Sequence, residues 1–313
     1  MKRKVDLTQA SEEIEKKGQA IVYNYATKLV RSFFNFKQRK GELSAAAATF
    51  FLLLSFTPLM LFVLFTYTYI TGDRGESYLQ VFDALKSNFP HIAPWILKSL
   101  KKIIKGHMDG GGNLSLGGLA ILAYGCIGFA STLNYGLFKM AEKEPRGGKI
   151  FENVRSILST ILIGSFVLGL IYVSSGPMNM TGQNMVWWKK AFQMGLKSSL
   201  WQSIATICFF TVYYKWLAPI RVRYVDAFYG AISFFLLFIG GKSFYWVYLK
   251  LAKKELIQNY GNFYTLTEAV LWIYFVHLAF FFSATVAYDH VEKRKLKAPS
   301  NKQLPEIPDS KAA

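Results

Sequence analysis

The sequence predicts an all-α, polytopic membrane protein with six transmembrane helices and further amphipathic helices at the membrane interfaces. Three observations carry that prediction. Mean hydropathy is +0.22 although 37 of the 313 residues are Lys or Arg. Only 18% of the chain is charged, against about a quarter in an ordinary soluble domain. The apolar residues also gather into six blocks, each close to the roughly 20 residues that a spanning helix needs. A chain this apolar is not disordered, and charge so segregated does not build a soluble globule. The formal net charge is +18. Its cations lie between the apolar blocks rather than along one stripe, which suits an anionic membrane surface and not nucleic acid.

Residues 1–43 form a basic arm without the apolar core of a cleavable signal. Ile14, Ile21, Tyr25, Leu29, Phe33 and Phe36 fall on one helical face, against Lys16, Lys17, Lys28, Lys37, Arg39 and Lys40. That pattern predicts a cytoplasmic helix lying on anionic lipid. The transmembrane domain then runs over 44–288. Its first block, 44–70, contains Pro58, which removes one backbone hydrogen bond and predicts a kink; Ser55 and Thr57 can satisfy the groups so freed.

The extracytoplasmic loop 71–113 carries Tyr78, Leu79, Phe82 and Leu85, then Ile92, Ile96, Leu100, Ile103 and Ile104, at helical spacing. Two amphipathic helices are expected there. The second block, 114–140, is rich in Gly, including Gly117, Gly118, Gly125 and Gly128, a face suited to close helix contact. Blocks three to six are 157–175, 199–217, 227–248 and 266–288. The polar, Pro-containing tail 289–313 is expected to be disordered.

An even number of spans puts both termini on one side. Of the Lys and Arg residues, 24 fall in the arm, the loop around Pro145, the turn near Arg221 and the tail, against 12 on the other side. The richer side is expected to be cytoplasmic.

No catalytic constellation is present. His91, His107, His277 and His290 are scattered, the carboxylates do not cluster, and neither Cys126 nor Cys208 belongs to a ligand pattern. No enzyme activity, metal or cofactor is expected. Polar groups inside the blocks are more telling, because each is costly in lipid. His277 lies mid-block, and the reading as a satisfied buried imidazole competes with one as a proton or solute ligand. Asn134 is first an interhelical hydrogen bond. Lys242 is first a snorkelling cation, and Glu268 a helix N-terminal acid.

Ala47, Ala48, Thr49, Phe50 and Phe51, followed by Ser55, Phe56, Thr57 and Pro58, resemble the opening of the YihY/BrkB family, bacterial inner-membrane proteins once labelled ribonuclease BN. Thr132, Leu133 and Asn134 with Pro145 and Arg146 resemble a second family segment, and Arg223, Asp226 and Gly230 a third. Tyr260 and Gly261, then Leu271, Trp272, Ile273 and Tyr274, resemble a fourth. The matches keep chain order from about residue 40 to 288. Ser283, Ala284 and Thr285 stand where the family often has Gly-Ala-Glu, and Tyr229 where it often has Pro.

The resemblance implies a six-helix fold in the bacterial inner membrane, multi-pass, with links to envelope or lipid transport and to serum resistance. It adds Asp226, Tyr260 and Trp272 to Pro58, Ser55, Asn134, Lys242, Glu268 and His277 as substrate-path candidates. The expected function is therefore an envelope transporter of a lipid or other amphipathic or anionic solute. The alternative is a non-transporting scaffold that recruits partners through the basic arm. Membrane lipids, anionic ones above all, are the expected partners, with a homo-oligomer left open.

Overall fold

The computed structural model describes residues 2–71, 98, 102, 116–143, 149–175, 199–260 and 263–297. They form seven helices and no strand: α1 Lys2–Gln38, α2 Gly41–Thr71, α3 Leu116–Met140, α4 Lys149–Ser175, α5 Ser199–Trp216, α6 Tyr224–Tyr260 and α7 Tyr264–Lys297. Each apolar block of the sequence is thus helical over its described residues, apart from Leu217 at the end of the fourth. The two amphipathic helices expected in 71–113 lie outside the described residues, apart from Lys98 and Lys102, which are helical and exposed. α2 passes through Pro58 as one helix. α7 continues past residue 289 to Lys297, so the start of the expected disordered tail is helical.

Local chemistry ends the helices where the topology needs turns. Lys40 adopts φ 52° after α1, and its amide donates to Lys37 O at 3.0 Å. α3 ends the same way. Glu142 adopts φ 48°, its amide donates to Lys139 O at 3.2 Å, and the Lys143 amide reaches back to Phe138 O at 3.1 Å. That pair of bonds is the Schellman arrangement, which satisfies carbonyls the helix leaves orphaned. Both caps use a side-chain-bearing residue where Gly would be free of strain.

Successive helices α2 to α7 run in alternating directions. The starts of α2, α4 and α6 meet the ends of α3, α5 and α7 at one end of the bundle. Arg39, just before α2, donates to Met140 O at the end of α3, and Arg155 near the start of α4 donates to Leu217 O just past α5. α7 is the central element and packs against α1, α2, α3 and α6. Phe281, Ala284, Val286 and Ala287 on it are fully buried.

The closest approaches are made at glycines. A Cβ on Gly230 of α6 would stand 2.8 Å from Ala287 Cβ and 2.9 Å from Ser283 O of α7, and one on Gly136 of α3 would overlap the Phe281 ring. Gly128, expected on a close-packed face, has open space beside it instead. The small residue that matters on α3 lies two turns further on.

α1 departs from its expected orientation. Lys28 and Arg39, assigned to the polar face, are each only 8% exposed, while Phe33 on the apolar face is 49% exposed. Its buried stripe runs through Lys28, Ser32, Phe36 and Arg39, and it packs on α7 and α2. The reason is that carboxylates from distant segments wait beneath it.

Among the described residues two helices are long and apolar enough to cross a membrane, Tyr224–Ala252 and Leu266–Asp289, and Gly41–Phe56 is a shorter apolar stretch. Only 33% of the first span is buried in the bundle. Leu236, Ile239, Phe244, Trp246 and Leu251 all point outward from it. A water-soluble core helix hides such a surface; a lipid-facing helix displays it.

Candidate functional site

A buried cluster of charges lies where α1 docks on the first turn of α6. Asp226 is buried there between two cations. Lys28 Nζ stands 3.1 Å from its Oδ1, and Arg223 Nε donates to Oδ2 at 2.9 Å. The Lys28 ammonium also sits over the Tyr229 ring, 5.1 Å from its centroid. Tyr25 shares a 2.7 Å hydrogen bond with Ser233 and packs against Tyr229. Burial pushes the Tyr25 hydroxyl up from its usual range, so it remains protonated. A second pair, Arg31 to Asp289 at 3.4 Å, fastens α1 to α7, and Thr285 Oγ1, which donates to Phe282 O at 2.6 Å, lies 3.2 Å from Ser32 O. Arg223, Asp226 and Gly230 thereby acquire distinct physical roles. The arginine flanks the carboxylate, the carboxylate holds the arm, and the glycine admits α7.

The interior holds a second polar layer. Thr49 Oγ1 of α2 donates to Ala45 O at 2.8 Å and lies 3.1 Å from His277 Nδ1 of α7. With the hydroxyl proton spent on Ala45, that contact calls for a proton on Nδ1. The Phe129 ring meets the imidazole edge-on at 5.8 Å. Ser55 is buried further along α2. Asn134 Nδ2 donates to Ser156 Oγ at 3.3 Å, joining α3 to α4, while its Oδ1 is buried without a hydrogen-bond partner among the described residues. Nearby, Ser159 and Tyr213 share a 2.8 Å bond, and Tyr214 donates to Phe280 O at 2.9 Å.

The remaining candidates lie toward the opposite end. Trp272 packs between Tyr245, centroids 5.0 Å apart, and Phe238, 5.6 Å apart. Tyr245 OH donates to the backbone oxygen of Glu268, whose side chain is buried. Lys242 is exposed. Tyr260 is the last residue of α6, and its side chain and that of Pro58 lie outside the described residues. The candidates therefore occupy three levels of the bundle. Lys242 points outward while His277 and Asn134 are bonded within.

Sequence reasoning missed a depression of about 540 Å³ at the α1–α2 elbow, lined by Gln38, Arg39, Lys40, Phe138, Lys139, Glu142 and Lys143. Its frame is Arg39, which donates from Nε to Glu142 Oε1 at 3.0 Å and also to Met140 O. The signal was the pair of cationic helix ends, Lys37 to Lys40 and Lys139 to Lys143, 100 residues apart and unrelated by any local pattern. Among the described residues no group of three or more His, Cys, Asp or Glu is placed to hold a metal ion.

Helices with outward apolar faces, polar groups paired between them and cations at one end define an integral membrane protein. A family model described as virulence factor BrkB matches residues 32–306, and the chain belongs to that family. No curated protein and no solved structure matches it.

Proposed function

We propose that the chain crosses the bacterial inner membrane six times, through α2 to α7, and carries a lipid or other amphipathic, anionic solute within the envelope. It is read as a carrier and not an enzyme. The alternating helix directions favour six crossings. The crowd of Lys and Arg at the end where α1 docks favours a cytoplasmic position for that end and for both termini. Reporter fusions at each terminus read this directly, and a periplasmic signal from either one overturns the orientation.

The observation that carries the transport reading is unspent hydrogen-bonding capacity between the helices. Asn134 Oδ1 is buried without a hydrogen-bond partner among the described residues, and such a group in a lipid setting is costly unless something uses it. The test is movement of labelled anionic phospholipid in proteoliposomes. Wild-type protein is expected to accelerate movement, and Asn134→Leu to reduce that acceleration by about tenfold, equivalent to one lost hydrogen bond from a headgroup hydroxyl to Oδ1. Movement no faster than in empty liposomes refutes the reading.

The scaffold alternative draws on the arm beyond its docked half, where Val22 and Tyr23 are 68% and 73% exposed. Loss of function on deletion of residues 2–24, with insertion intact, favours it over the carrier.

A further inference from the structure

We propose that the depression at the α1–α2 elbow binds the phosphate of an anionic phospholipid headgroup, with the acyl chains lying along the outer faces of α2 and α3. Four cations line it, Arg39, Lys40, Lys139 and Lys143, against one carboxylate, Glu142. That carboxylate is already engaged by Arg39 at 3.0 Å. The nearest other acid on α2, Glu42, pairs with Lys37. Lys40, Lys139 and Lys143 thus carry positive charge that no carboxylate among the described residues offsets. The balance of the lining is +3 before a ligand arrives. An anion with several acceptor oxygens matches it.

The backbone is committed to this shape. Lys40 and Glu142 have the positive φ values of 52° and 48°, and both line the depression. Left-handed backbone at residues bearing side chains persists only where the surroundings enforce it. Here Arg39 does so by tying one cap to the other. Phe138 is the one apolar residue in its lining.

A free anion would need nothing beyond the cations, but the surface around them is greasy. On α2, Leu43, Phe50 and Leu54 are 60%, 63% and 67% exposed, and this outward stripe begins one turn after Lys40. On α3, Tyr124 and Tyr135 are 79% and 66% exposed, and Tyr135 lies one turn before Lys139. Lys40 and Lys139 therefore each cap an outward apolar stripe. Charge at the head and apolar surface below is the profile of a phospholipid. The site rests on the six-span reading, which sets the depression at headgroup level, but it does not require transport.

The experiment uses the full-length protein in a zwitterionic detergent, titrated with short-chain phosphatidylglycerol, short-chain phosphatidylcholine and inorganic phosphate. Wild-type protein is expected to bind phosphatidylglycerol at least tenfold more tightly than either of the others. Lys40→Gln/Lys139→Gln/Lys143→Gln should lose at least tenfold in that affinity with an unchanged Tm, and the matching Lys→Arg triple should retain it. Equal binding by the Gln triple overturns the site. Inorganic phosphate binding as tightly as phosphatidylglycerol overturns the lipid assignment. Lipid movement in proteoliposomes is read separately, so a headgroup site that survives while movement fails refutes only the carrier.

Discussion

Asp226→Ala is expected to destabilise the protein by about 3–5 kcal/mol, because it strands the Lys28 ammonium in the α1–α6 contact without its counter-charge. The side chains of Lys28 and Asp226 are only 10% and 7% exposed, so water cannot take over. The measurement is thermal unfolding of the purified protein in detergent. Arg223 presents the contrast. Its side chain is 56% exposed, and Arg223→Gln should cost below about 1 kcal/mol. A double variant, Lys28→Met/Asp226→Leu, is expected to recover most of the stability lost in Asp226→Ala, since an apolar pair of similar volume avoids burying charge at all. An Asp226→Ala protein that unfolds with wild-type Tm would show that the clasp contributes nothing.

The second large effect belongs to the α3–α7 contact. Phe281 is fully buried beside Gly136. Phe281→Ala should cost about 3–5 kcal/mol through the cavity it opens. Gly136→Leu should cost about 1–3 kcal/mol or more by forcing side-chain atoms into the ring. Combined, the two changes should be less damaging than their sum by about 0.5–3 kcal/mol, because the new leucine fills the space that the ring vacates. Strict additivity in unfolding experiments would mean that the two helices do not meet there.

Much of the architecture was legible in composition alone. Six blocks of apolar residues became helices, and two of these, Tyr224–Ala252 and Leu266–Asp289, are long and apolar enough among the described residues to cross a membrane. The site was less legible. Lys28 and Arg39 read as solvent- or lipid-facing cations, since helical periodicity records the residue and not its partner. Those partners stand 198 and 103 residues away. Asp226 was reachable only through its place beside Arg223 and Gly230 in a family motif, and its role became physical once Lys28 was seen against it. Gly128 and Gly136 are indistinguishable by residue type; only the position of Phe281 separates them. Asn134 could be foreseen as an interhelical donor, and the Ser156 hydroxyl supplies the acceptor.

The docking of α1 also sets an order of events during biogenesis. Lys28 leaves the ribosome 198 residues ahead of Asp226, a delay on the order of ten seconds or more at about 5–20 residues per second. Arg31 waits longer still for Asp289. α1 is therefore among the last segments to find its native contacts, and a nascent chain arrested before α6 leaves Lys28 and Arg31 without the carboxylates that hold them in the finished fold.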